Sequence, residues 1–206
     1  DLDRLNPGML VVRMTDARIT MKHALQSLVV VLWAALCARV DGGEDWPMWR
    51  YDAGRSAASP NSLPRNLRLI WKQELTARQQ AWDDPLNLDL MTYDRVFEPI
   101  VMDGRLFVGF NDRDKLVALD AATGEPLWTC YAEAPVRLPP VAWKDRVYFC
   151  SDDGCLYCVD AATGQQQWRF SGAPNRQHAV GNRRLTSAWP ARGGPVIRDD
   201  VVYFAA

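Results

Sequence analysis

An eleven-residue pattern occurs twice in this chain, forty residues apart. Ala118-Leu119-Asp120-Ala121-Ala122-Thr123-Gly124-Glu125-Pro126-Leu127-Trp128 returns as Cys158-Val159-Asp160-Ala161-Ala162-Thr163-Gly164-Gln165-Gln166-Gln167-Trp168. A second shared pattern precedes each copy. Pro99-Ile100-Val101, Asp103-Gly104-Arg105 and Leu106-Phe107-Val108-Gly109 match Pro140-Val141-Ala142, Lys144-Asp145-Arg146 and Val147-Tyr148-Phe149-Cys150. A third copy starts at Pro195-Val196-Ile197 and continues through Asp199-Asp200 to Val201-Val202-Tyr203-Phe204. Self-similarity at a fixed period restricts a chain to units that stack on one another, because one unit alone cannot bury its apolar face.

Within one period the residues predict four short strands. Pro140–Trp143, Val147–Cys150, Cys155–Val159 and Gln167–Phe170 are apolar, aromatic or β-branched runs, and Ser151-Asp152-Asp153-Gly154 joins the second and third as a hairpin. Four strands in about forty residues, repeated, is one blade of a β-propeller. A parallel solenoid needs a shorter period, and a sandwich does not repeat residue for residue. The expected fold is therefore all-β.

Each repeated residue has a mechanical task. Gly124 and Gly164 occupy a turn position where positive φ suits glycine. Asp120 and Asp160 are placed to accept hydrogen bonds from turn amides, with Thr123 and Thr163 beside them. Trp128 and Trp168 follow the turn, and each indole is expected to lie over the neighbouring blade. Ala118-x-Asp120-x-x-Thr123-Gly124-x-x-x-Trp128, and its copy with Cys158 in the alanine place, resemble the tryptophan-docking motif of pyrroloquinoline-quinone (PQQ)-like propellers. The resemblance extends from about Asp45 onward. Asp45-Trp46-Pro47-Met48-Trp49-Arg50 and Leu69-Ile70-Trp71 are similar to the entry strand of secreted bacterial members, especially those of planctomycete type. It implies a closed ring of about seven or eight blades. Residues 45–206 hold about two complete blades and parts of two more, so the chain is expected to be the N-terminal part of a longer protein. Alone it should be aggregation-prone, with bare strand edges and half-covered docking faces.

The stretch before Asp45 is read separately. Met21-Lys22-His23, an apolar run from Leu25 to Leu36 and Cys37-Ala38 form the pattern of a secretory signal over residues 21–43. At about 1.5 Å per residue the run is shorter than the roughly 30 Å of a bilayer core, which favours a signal over a spanning helix. Residues 1–20 read as an upstream or mis-assigned leader, and lipid attachment at Cys37 stays open. The expected destination is periplasmic or extracellular. A net charge of -1 gives no global attraction to nucleic acid.

Candidate chemistry is sparse. Cys155-Leu156-Tyr157-Cys158 has C-x-x-C spacing, but residues three apart on a strand point to opposite faces and cannot share a metal. Cys150 and Cys155 flank a hairpin turn. They are either a cross-strand pair or, as the reading preferred here, cysteines filling small or apolar positions, since Cys150 aligns with Gly109 and Cys158 with Ala118. Asp83, Asp84, Asp89 and Asp94 form a local acidic stretch assigned to a connection. The family resemblance brings PQQ and calcium into view. PQQ dehydrogenases of this fold use two adjacent cysteines and Glu, Asn and Asp ligands, which have no residue-by-residue match here. No catalytic, cofactor-binding or metal residue is therefore assigned.

The connection after Trp168 is distinctive. The interval from Trp128 to Pro140 is 12 residues, and that from Trp168 to Pro195 is 27. Between residues 161 and 198 there are six Arg and no Asp or Glu. Arg176, Arg183, Arg184 and Arg192, with His178 and Trp189, are the candidate ligand-binding residues. The competing expectation is a solvated loop whose arginines pair with acidic residues of blades not present. The sequence thus suggests an exported, non-catalytic propeller that recognises a protein or an anionic ligand. The alternative is part of a PQQ-dependent dehydrogenase whose PQQ and calcium ligands lie in other blades.

Overall fold

The computed structural model describes residues 45–77, 97–181 and 184–206. The leader, the signal-like stretch, the acidic stretch at 83–94 and Arg183 lie outside the described residues. All regular structure among the described residues is β-strand.

Two complete sheets carry the repeat. In the first, β1 (Ile100–Met102), β2 (Arg105–Phe110), β3 (Lys115–Asp120) and β4 (Pro126–Tyr131) form an antiparallel meander in that order. In the second, β5 (Val141–Trp143), β6 (Arg146–Cys150), β7 (Cys155–Asp160) and β8 (Gln166–Ser171) repeat it. The expected strands match within a residue or so at each end. A two-stranded hairpin of β9 (His178–Gly181) and β10 (Arg184–Ser187) follows. The third copy begins with β11 (Gly193–Arg198) paired to β12 (Val201–Ala205).

The duplication reaches the irregularities. Trp128 pairs with Ala118, and the register then slips so that Leu119 faces Pro126. Trp168 pairs with Cys158, and Val159 faces Gln166 after the same slip. Each fourth strand therefore has one extra residue just before its Trp, a bulge that re-aims the side chain.

The turns are equally alike. Asp120 Oδ1 accepts from the amides of Ala122 and Thr123, both at 2.9 Å, and Asp160 Oδ1 accepts from those of Ala162 (3.1 Å) and Thr163 (2.9 Å). Thr123 Oγ1 and Thr163 Oγ1 accept from the amides of Glu125 and Gln165. The backbone amides of Thr123 and Ala122 hold the Asp120 carboxyl below the usual carboxylate range, and the Thr163 hydroxyl leads the same effect at Asp160. Gly124 and Gly164 take φ of 78° and 72°.

These turns receive a tryptophan from the preceding unit. Trp128 Nε1 donates to Ala161 O of the second sheet at 3.1 Å, and its ring lies over Gly164. Trp71 Nε1 donates to Ala121 O at 2.9 Å, and its ring lies over Gly124. Beneath the Trp128 seat the facing sides of the two sheets merge into one core, which includes Ile100, Phe107, Leu116, Ala142, Val147, Phe149, Tyr157 and Val159. Phe149 and Tyr157 stack at 4.9 Å within it. Cys130 and Cys155 belong to the same core, while Cys150 packs with Leu156 and Ala191. Cys150 pairs with Leu156 rather than Cys155, and Cys130, Cys150, Cys155 and Cys158 are all unbonded. Burial pushes the Cys150 thiol up to about 12 and the Cys155 thiol up to about 11, so neither is primed as a nucleophile.

Trp168 differs from Trp128. It is 43% exposed, rests on Tyr148 at 5.8 Å and makes no hydrogen bond among the described residues. A groove of about 520 Å³ runs beside it between β8 and β12, lined by Leu156, Trp168, Arg169, Phe170, Val202 and Phe204.

Two outcomes test this account by urea denaturation. Trp128→Ala should lose about 3–5 kcal/mol, the usual cost of deleting a large packed aromatic, whereas Trp168→Ala should lose clearly less. Gly164→Ala puts a Cβ within 2.5 Å of the Trp128 ring, while at Gly104, with similar φ, an added Cβ meets nothing within 4 Å. Gly164→Ala should therefore be the more destabilising by at least about 1 kcal/mol. Equal losses at the two glycines would deny the seat its role.

Candidate functional site

In a four-stranded meander the turn between strands two and three and the connection leaving strand four lie at the same end of the sheet. The turns at 111–114 and 151–154 therefore share one face with the connections at 132–140 and 172–192. Hydrogen bonds knit that face together. Asp152 N donates to Pro135 O at 2.9 Å, Ser151 Oγ to Ala134 O at 2.9 Å, and Ala132 N to Asp114 O at 2.7 Å.

The long connection is a built arm rather than an open loop. β9 and β10 pair in register, His178 with Ser187, Ala179 with Thr186 and Val180 with Leu185. Its base is fixed to the second sheet, since Ser187 N donates to Asp152 O at 2.7 Å and Ala191 N to Ser151 O at 3.2 Å. Thr186 and Ser187 are buried. Gly154, at φ 85°, lets the arm approach closely, because a Cβ there would lie 2.8 Å from Trp189 O.

Asp152 is the hub of the face. Its carboxylate, 1% exposed, accepts from Arg137 Nε at 2.6 Å. Arg192 grips the same carboxylate through Nε and Nη2, each at 3.1 Å. Such a two-pronged guanidinium contact is geometrically specific. Further out, Arg184 binds both oxygens of Asp114 and the carbonyl of Asp112, tying the arm back to the first sheet. Burial raises the Asp114 carboxyl above its ordinary range, although Arg184 works against that shift. Asp112 Oδ1 is buried without a hydrogen-bond partner.

The candidate residues thus divide. Arg184 and Arg192 are engaged, and their partners are acidic residues of the two complete sheets, not of blades beyond this chain. Arg176 and His178 are exposed, as is Trp189 at 46%. The arm also presents Val180 and Leu185, which face each other across the hairpin and are 74% and 60% exposed. Sequence reading missed Arg137, Asp114 and the hub role of Asp152. Nothing in their local sequence marks them, because the contacts join segments 15 to 70 residues apart.

Among the described residues, no three His, Cys, Asp or Glu side chains are grouped to hold a metal ion. Asp152 and Asp114 are saturated by guanidiniums, and Cys155 and Cys158 lie three apart along β7 rather than adjacent. The donor sets of this face do not fit PQQ with calcium.

Comparison with known proteins places these sheets in a family. Residues 64–206 match the PQQ_2 family, described as outer membrane protein assembly factor BamB. The dehydrogenase subunit of a quinone alcohol dehydrogenase from Gluconobacter oxydans is 31% identical over 97 residues, covering 42% of this chain and 12% of that protein. The corresponding subunit from Acetobacter aceti is 31% identical over 87 residues, 37% of this chain and again 12% of the relative. The chain therefore spans about an eighth of the length of these relatives. Among solved structures, the quinohemoprotein alcohol dehydrogenase of Comamonas testosteroni superposes with a TM-score of 0.55 at 21% identity, covering 80% of this chain and 24% of the other. That likeness concerns the fold, an all-β propeller of four-stranded blades. With a match across more than half its length, the chain belongs to the PQQ_2 family of PQQ-repeat β-propellers.

Proposed function

We propose that this chain is an exported, non-catalytic binding module that recognises a protein partner through the arm of β9 and β10. One observation supports this reading above the others. The arm is held rigidly at its base by main-chain hydrogen bonds and ion pairs, yet it turns Val180, Leu185 and Trp189 to solvent. Exposed apolar side chains on a rigid projection favour contact with another macromolecule. An anionic ligand is less favoured as the occupant of this arm, because Arg184 and Arg192 already have carboxylate partners. Export rests on the signal-like residues 21–43.

The second reading is part of a PQQ-dependent alcohol dehydrogenase, with calcium and quinone held by other blades. The relatives at 31% identity favour it. The shared region is about an eighth of each relative.

Three measurements address these readings. A photo-crosslinking residue placed at Val180 or Leu185, in the full-length protein exported by its own host, should trap one discrete adduct. The same residue at exposed Thr129 should not; identical products from both positions would end the arm reading. Incubation of the full-length protein with PQQ and calcium should produce no quinone absorbance and no dye-linked alcohol oxidation, and a positive result would transfer the assignment to the dehydrogenase. The arginines should separate by role. Asp152→Asn leaves buried Arg137 poorly compensated and should cost about 3–5 kcal/mol in chemical denaturation. Arg184→Gln should cost under about 1 kcal/mol, as partly exposed pairs do. It should nonetheless raise hydrogen exchange at the Ala179, Val180 and Leu185 amides by up to about fivefold, since about 1.4 kcal/mol of lost local protection would be about tenfold.

A further inference from the structure

The segment 45–57 crosses the inner edges of the sheets. Trp46 bridges Val101 of β1, with N···O distances of 2.8 and 2.9 Å, on the edge that β2 does not use. One residue on, Pro47 O accepts the amide of Ala142 in β5 at 2.7 Å. Met48, 4% exposed, packs with Val141 of β5 and Ile197 of β11. A short stretch of chain thus touches the first strand of all three repeat copies.

Beyond Met48 the backbone becomes strained. Arg50, Tyr51, Arg55 and Ala57 have φ of 57°, 81°, 58° and 55°. The other non-glycine residues with positive φ are Asp103, Asp114, Lys144, Asp199 and Asp200, all in turns between paired strands. Four of those five are Asp, which tolerates the left-handed region through its short polar side chain. Arginine and tyrosine have no such aptitude. Where this chain needs only a turn it also uses glycine, at Gly104, Gly124, Gly154 and Gly164. Hydrogen-bonded turns at 48–51 and 52–55, closed by Tyr51 N on Met48 O and Arg55 N on Asp52 O, account for the backbone here but not for the choice of arginine and tyrosine at 50, 51 and 55.

Their placement does. The guanidinium carbons of Arg50 and Arg55 lie 5.7 and 5.0 Å from the centroid of the Trp49 ring, which is 40% exposed. Arg55 Nη1 donates to Trp49 O at 2.8 Å, fixing that guanidinium in place. Tyr51 sets its ring edgewise to Trp46 at 5.2 Å. The loop's own carboxylate, Asp52, accepts from Ser56 N at 3.0 Å and Ser56 Oγ at 2.6 Å. Asp52 and Glu98 act on the Arg55 charge from a distance, whereas Arg50 has no ion pair among the described residues. Two cations thus converge on one accessible indole, and the backbone bears strain to bring them there. Conformations of this kind persist where surrounding contacts hold them, and they cluster at ligand-binding sites.

We propose that Trp49, Arg50 and Arg55 form a recognition site for a ligand bearing a carboxylate or phosphate group. Guanidiniums offer paired donors to such oxyanions, and the 40% exposed indole gives the ligand's apolar body a surface to lie beside. The site shares no residue with the arm and does not rest on the reading proposed for it.

The test titrates the full-length protein at low salt with benzoate and, separately, inorganic phosphate, by calorimetry and indole fluorescence. Saturable binding of one or both is expected. A benzoate preference points to a carboxylate ligand with a flat body, and a phosphate preference to a phosphorylated one. Arg50→Gln, at an exposed side chain that supports no hydrogen bond of the loop, should weaken binding about tenfold, the loss of one charge-assisted contact. Its melting temperature should be unchanged. Trp49→Phe should abolish the fluorescence response and weaken benzoate more than phosphate. The proposal is overturned if neither probe binds saturably, or if Arg50→Gln binds both as the parent does.

Discussion

The indole of one sheet seated on the glycine turn of the next is the contact from which this architecture follows. The two halves of that joint lie in different repeats. Trp128 ends one unit, while Asp160, Thr163 and Gly164 belong to the following one. Asp160 and Thr163 brace the turn that carries Ala161, whose carbonyl receives the indole N–H. Glycine is required because any Cβ would enter the ring. The joint between Trp71 and Ala121 is built in the same way, with Gly124 under the ring. Since each unit supplies a wedge forward and a seat backward, the motif keeps all its parts in both copies even where the intervening residues differ. Glu125-Pro126-Leu127 and Gln165-Gln166-Gln167 need only reproduce the bulge that aims the tryptophan.

How far the sequence could be read depended on whether a feature was local. The four strands of each unit, their turns and the two-fold recurrence all came from contacts within a period, where spacing carries the information. The arm did not. Residues 172–192 look polar and glycine-punctuated, and the pairing of Val180 with Leu185 becomes evident only from the register. The arginines were legible as an unusual cluster, but their partners were not. Arg184 reaches back seventy residues to Asp114, and Arg192 forty to Asp152. Arg137, nearly fully buried, carried no signal at all. Trp168 shows the complementary limit. Its motif follows that of Trp128, yet its environment differs, since the ring is 43% exposed and rests on Tyr148 of its own sheet.

The cost of burying charge explains why the arm's arginines are arranged as they are. A buried carboxylate such as Asp152 is costly without full compensation, and one guanidinium leaves oxygen lone pairs unsatisfied. Arg137 arrives from the connection before β5 and Arg192 from the connection before β11, so one carboxylate joins both connections to the turn of the second sheet. Arginine suits this task because its planar fork meets two oxygens at once. The same residues are thereby withdrawn from ligand binding, while Val180, Leu185 and Trp189 stay exposed together with Arg176 and His178. Two of the arginines that make this connection cationic in sequence are spent inside the fold.

The docking joint also sets where function can differ between members of this family. A seat that needs Asp, Thr, Gly and Trp in fixed positions leaves those residues no freedom to take up chemistry, and the strands between them are committed to the core. Variation is left to the connections on the face of the 151–154 turn and to segments along the inner edges. This chain departs from its own repeat at those places. The connection after β8 is more than twice as long as the one after β4, and the stretch at 49–57 places arginine, tyrosine and alanine at positive φ. Under the two proposals, the recognition surfaces are the exposed apolar residues of the arm and the arginines around Trp49, side chains that the docking joint does not use.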